Sequence, residues 1–337
     1  MSQTDKFESR PEATTQTRWI FLLLGVQPMT KNSTITEKRI SAVMYLICRS
    51  LLAFIIIPAN IQLFWFERLE IKLAYFGPLG TAMACALKYF AIISRRDDIT
   101  NCIQQIEEDW CQSKNKDSLE IMKQHTRQGR RITTFCGSVM YTGGILHQIM
   151  MPFLPGSVVS IFSNSTKRLL VYPMSEIILD DQVTPTYEIL YIIHIVAGIV
   201  VCTIALASCH LAILFVTHTS SLTEIMTLKL ENLMTAQGEV KQNLCMSEVI
   251  DINHKIIKFS HTVEICLREI CLISILEALY VICLAEYYAL LTWNHNETFG
   301  AIIYLILLQG FVGSFFIFCH VGEIMKEQVC SLFIHCQ

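Results

Sequence analysis

The chain has 337 residues, of which 53% are hydrophobic and only 16% charged, and its mean hydropathy is +0.45. A soluble domain carries about 25% charged residues, so these values exclude a single water-soluble globule. They indicate an all-α polytopic membrane protein that has the lipid bilayer as its solvent. A net charge of −3 gives no footing for a nucleic-acid partner.

Residues 1–39 read as a cytoplasmic N-terminal segment. The opening stretch MSQTDKFESRPEATTQTR is polar and has no apolar h-region, so it is not a signal peptide. FLLLGVQP, residues 21–28, is too short to cross and reads as an interfacial or re-entrant piece, with Pro28 ending any helix. The bundle proper covers 40–321. Six segments are long enough to cross, at about 40–64, 73–94, 132–154, 187–216, 263–292 and 299–321. The fourth and fifth are longer than a bilayer needs, so they are expected to tilt or to project beyond the lipid.

The distribution of Lys and Arg orients these spans. The N-terminal segment, the second and fourth loops and the tail carry 19, and the other three loops carry 4. The positive-inside rule then puts the N-terminus in the cytoplasm. Two sequons, at Asn164 and Asn296, fall in outside loops under this topology and are candidate glycosylation sites. A third, at Asn32, falls inside. None of the 14 cysteines lies in an outside loop, and no CxxC pair or zinc spacing occurs, which points to small buried hydrophobes and no cofactor.

No catalytic fingerprint is present: there is no HExxH, GxSxG, Walker A or dinucleotide motif. The chain therefore reads as a non-enzyme. Charges inside spans cost about 2.5–3.5 kcal/mol each on insertion scales, so those that occur need a reason. Glu264 and Arg268 are i,i+4 and can pair. Glu277 lies deeper, where it either meets Lys88 of the second span or lines a wet cavity. The spans are rich in Tyr, Met and His toward their outer halves, in YTGGILHQIMMPF, YEILYIIH and LYVICLAEYYALL. Tyr141, His147, Met150, Met151, Tyr187, Tyr191, His194 and Tyr280 form a candidate ligand lining, because small-molecule sites are concave and apolar with a few placed polar groups. Ordinary interhelical packing is the alternative for each of them taken singly.

Three short patterns occur in order at matching topological positions: LLLGVQP at 22–28, VYPMSEIILDDQVTPTYEILYIIH at 171–194 and FIFCHVGEIMKEQ at 316–328. In these the chain resembles the insect odorant receptor family over nearly its whole length. The resemblance implies an odorant-specific tuning subunit of a ligand-gated cation channel. Such a subunit binds small volatile molecules in the outer half of its bundle and assembles with a co-receptor as a hetero-oligomer, a tetramer. It implies a plasma-membrane, multi-pass location in a sensory neuron. After GEIMKEQ the family continues into a linker and a seventh, pore-lining span, where this chain has VCSLFIHCQ. Nine residues reach only ~14 Å as helix, so 322–337 is expected to be a truncated cytoplasmic tail with the seventh span absent.

A gustatory-type receptor of the same superfamily and a non-conducting truncated receptor or modulator stay open beside the channel subunit. A G-protein-coupled receptor needs the opposite orientation of the N-terminus, and DRY and NPxxY are missing. No motif speaks for a transporter.

Overall fold

The computed structural model describes residues 12–26, 35–65, 69–113, 115–150, 168, 170–174, 182–235, 239–295 and 298–335. These residues form eight helices and, among them, no strand. The helices are α1 (Glu12–Leu23), α2 (Ile35–Trp65), α3 (Leu69–Ser94), α4 (Arg96–Gln112), α5 (Lys116–Met150), α6 (Thr186–Thr235), α7 (Glu239–Asn294) and α8 (Thr298–His335).

The hub is α6, which packs against α1, α2, α3, α5, α7 and α8. Its sequence explains why. The stretch ASCHLAILFV, 207–216, is apolar almost all round, and every position in it is buried. A helix that is apolar on all faces belongs at the centre of a bundle. By contrast α2 keeps large apolar side chains such as Leu46, Ile57 and Phe64 on its surface, as a lipid-facing helix does.

Among the described residues, five helical stretches are long and apolar enough to cross a membrane, at 35–65, 75–94, 186–233, 246–294 and 300–320. The third expected span, 132–154, maps onto α5 as far as Met150, and 151–154 lie outside the described residues. Thr133, Thr134, Ser138, Thr142, His147 and Gln148 dilute the apolar character of this helix, and several of them face its neighbours inside the bundle. The two longest helices project, as their length requires. α7 has 56 residues, or roughly 84 Å at ~1.5 Å per residue, against a hydrocarbon core of about 30 Å. Its first part pairs with the end of α6 through a small core of Leu222, Met226, Val249 and Ile256 and an ion pair between Lys229 and Glu248.

The segment read as interfacial belongs to α1, and it ends earlier than Pro28. The helix closes at Gly25, whose φ is +68°. Val26 N–H donates to the Phe21 carbonyl at 3.0 Å and Gly25 N–H to the Leu22 carbonyl at 3.1 Å. These are the two bonds of a Schellman cap. Neighbouring helices hold the turn: Tyr89 Oη donates to the Leu24 carbonyl and Ser41 Oγ to the Gly25 carbonyl, each at 2.7 Å. A Cβ on Gly25 would fall 2.8 Å from Tyr45 Cα and nearer still to Tyr45 N and Ser41 O. Gly25→Ala is therefore expected to cost at least about 2 kcal/mol, from left-handed strain plus collision with backbone. A thermal melt of the purified variant would measure this, and an unchanged Tm would mean that α1 is not seated on α2.

Polar contacts tie α1 and α4 to one end of the bundle. Arg18 pairs with Glu107 at 2.7 Å, and Arg95 pairs with Glu269 at 2.8 Å. No ion pair joins Glu264 and Arg268 among the described residues; the neighbouring Glu269 is the carboxylate that pairs, with Arg95. Asp109 on α4 accepts from His218 Nε2 at 3.3 Å and Lys255 Nζ at 3.1 Å. Burial alone would raise the Asp109 carboxyl, but His218 and Lys255 outweigh it and hold it below the usual carboxylate range. His210 is buried between Thr17 and Thr133, at 2.8 and 3.2 Å.

Candidate functional site

An apolar cavity of about 130 Å³ lies where α3, α5, α6, α7 and α8 converge, with Tyr172 also on its wall. That is close to the engineered cavity of about 150 Å³ that admits benzene. Small residues open it. Gly77 of α3, Gly143 and Gly144 of α5, Gly198 of α6 and Gly310 of α8 all line it. Side chains from neighbouring helices fill the space that a Cβ would take at two of these: Gln148 lies 2.9 Å from a Cβ built on Gly198, and Cys202 Sγ lies 2.5 Å from one on Gly144. At Gly143 a Cβ would meet Leu307 at 3.5 Å and Ile306 at 3.9 Å, ordinary van der Waals contacts that displace no neighbour.

The polar groups on the wall are few, and most have assigned partners. Glu277 of α7 accepts from Lys88 of α3, and each side chain is only 4% exposed. The Cys85 thiol makes a weak contact with the other carboxylate oxygen at 3.8 Å. Glu277 thus meets Lys88, as one of its two readings has it, and it is also among the residues that line the cavity. On the same side of the cavity α7 braces the α3 turn around Pro78. Tyr280 Oη donates to the Phe76 carbonyl at 2.7 Å, and Tyr288 Oη donates to the Leu73 carbonyl. A proline inside a membrane helix frees backbone groups that neighbouring helices re-satisfy. Tyr288 packs against Tyr304 at 5.3 Å, and Tyr304 meets His147 edge-on at 6.2 Å. Gln148 Nε2 donates to Tyr172 Oη at 3.3 Å.

Of the residues singled out from sequence, His147 lies on the cavity wall. His194 is 1% exposed and stands edge-on to Tyr172 at 5.4 Å, with neither ring nitrogen hydrogen-bonded among the described residues. Tyr141 is tied to Thr203 at 2.7 Å. Tyr187 stacks on Tyr191 at 6.3 Å, beneath the Arg168 guanidinium at 5.2 Å. Tyr141, Tyr187, Tyr191, His194 and Tyr280 are not among the residues that line the cavity, and Tyr187 and Tyr191 pack with Leu170, Met174 and Leu190. Met150 ends α5, and its side chain is outside the described part. Met151, Asn164 and Asn296 lie outside the described residues altogether. The wall residues not singled out from sequence include Gln148, Tyr172, Tyr288, Tyr304 and the glycines. The glycine pair inside YTGGILHQ was the available signal, because adjacent small residues on a crossing helix leave a gap.

A family model described as 7tm odorant receptor matches residues 72–334. No curated protein sequence matches the chain. Among solved structures, the chain is similar to the insect olfactory receptor OR5 from Machilis hrabei, with a TM-score of 0.72 and 16% identity over 94% of this chain and 80% of that one. The same receptor solved in complex with eugenol gives a TM-score of 0.71, with the same identity and coverage. At 16% identity this likeness establishes the fold alone, a helical membrane bundle, while the family match extends over most of the sequence. The chain belongs to the 7tm odorant receptor family, whose members are multi-pass membrane receptors and not enzymes.

Proposed function

We propose that this chain is an odorant-binding subunit of a ligand-gated cation channel, and that small volatile molecules bind in the cavity between α3, α5, α6, α7 and α8. The observation that carries this reading is the cavity itself, an apolar, glycine-opened space in the middle of the bundle with a few placed polar groups. The eugenol complex of the Machilis receptor supports it, as a ligand-bound instance of the same fold. In this reading His147 touches the ligand. Tyr141, Tyr187, Tyr191, His194 and Tyr280 hold the walls, and Met150 and Met151 continue the α5 side. The subunit acts with a co-receptor as a hetero-oligomer in the plasma membrane of a sensory neuron. Its N-terminus is cytoplasmic, for which the asymmetry of Lys and Arg is the support.

Co-expression in a heterologous cell tests this. Cation current evoked by a panel of volatile compounds is expected when this chain and a co-receptor are both present, and not when this chain is left out. If no compound evokes current beyond that of the co-receptor alone, and none stabilises the purified chain, the reading is wrong.

A further inference from the structure

We infer that the cavity is selective for compact molecules carrying one neutral hydroxyl, and that Glu277 is the group that accepts its hydrogen bond. This rests on the reading of the cavity as the ligand site.

Among the described residues Glu277 is the one carboxylate on the wall, whose other polar side chains are the neutral Thr81, Gln148, Ser314, His147 and three tyrosines, and its side chain is 4% exposed. An ionised carboxylate offers about four lone-pair positions. Lys88 takes one on Oε2, and Oε1 receives only the weak Cys85 thiol at 3.8 Å. Acceptor capacity therefore remains on a carboxylate facing the space a ligand would fill. A hydrogen bond to an ionised acceptor is roughly twice as strong as a neutral one.

The charge state of the pair decides the class of donor. Lys88 already neutralises Glu277, so an incoming ammonium would lose its hydration without gaining an unpaired counter-charge. A carbonyl or ether brings only acceptors to an acceptor. A hydroxyl brings one donor, stays neutral and needs little desolvation. Size limits the rest. About 130 Å³ holds a ring or a short branched chain with one substituent.

The test uses the full chain purified into lipid nanodiscs, with benzyl alcohol, benzyl methyl ether and toluene as probes and the shift of Tm with probe concentration as readout. Gly143→Leu, which fills the cavity, sets the background from partition into lipid. Wild type is expected to bind the alcohol about tenfold or more tightly than the ether or toluene. Glu277→Gln is expected to bring that ratio below about threefold. Because it leaves Lys88 without its partner and can fail to fold, the Lys88→Met/Glu277→Gln pair is measured as well, with the same collapse expected. Equal affinity of wild type for alcohol and toluene, both above the Gly143→Leu background, overturns the hydroxyl preference and leaves the ligand cavity standing. An unchanged preference in the double variant removes Glu277 from the role. No probe rising above that background overturns the cavity reading itself, and the inference with it.

Discussion

Lys88→Met should lower the unfolding free energy by about 3–5 kcal/mol, the usual cost of leaving one member of a buried ion pair without its partner. Both side chains are 4% exposed, and nothing else with positive charge is bonded to Glu277 among the described residues. The variant leaves a carboxylate between α3 and α7 with one weak thiol contact. The double variant Lys88→Met/Glu277→Gln should recover most of the loss, because replacing both partners by uncharged groups of similar shape is near neutral. Chemical denaturation of the four proteins in a common detergent gives the coupling energy directly. A loss under about 1 kcal/mol for Lys88→Met would mean that water reaches Glu277 through the cavity, and that the pair is solvated in the resting protein.

That pair also shows how far sequence reasoning carries. Lys88 and Glu277 are 189 residues apart, yet their meeting could be anticipated because charges inside apolar spans are few and each needs a partner. What sequence does not reveal follows from the same physics. α1 has no hydropathy signal because Thr14 and Thr17 point inward to specific partners, Glu107 and His210, where apolar residues would otherwise be expected. Tyr and His were read as the lining because they can contact a ligand. Most of them hold helices together here, as Tyr141 does with Thr203 and Tyr280 with Phe76. Glycines contribute five of the wall positions, and periodicity scores those as neutral.

Gly143→Leu should therefore reduce ligand affinity at least about 100-fold while leaving the fold in place. A Cβ at this position meets Leu307 and Ile306 at ordinary van der Waals distance, 3.5 and 3.9 Å, so no backbone has to move to admit it. A glycine inside a helix also costs roughly 0.5–1 kcal/mol relative to alanine, so Gly143→Ala is expected to be as stable as wild type or slightly more so. The isobutyl group of leucine then occupies a large part of a space of about 130 Å³, and a ligand must either displace it or stay out. Gly198→Leu makes the contrast. A Cβ there falls 2.9 Å from the Gln148 amide, which is already committed to Tyr172, so this variant should lose stability along with binding. Thermal melts with and without ligand separate the two cases. If Gly143→Leu keeps wild-type affinity, the ligand binds elsewhere in the bundle. If it loses stability as Gly198→Leu does, the space at Gly143 is closed in the folded protein.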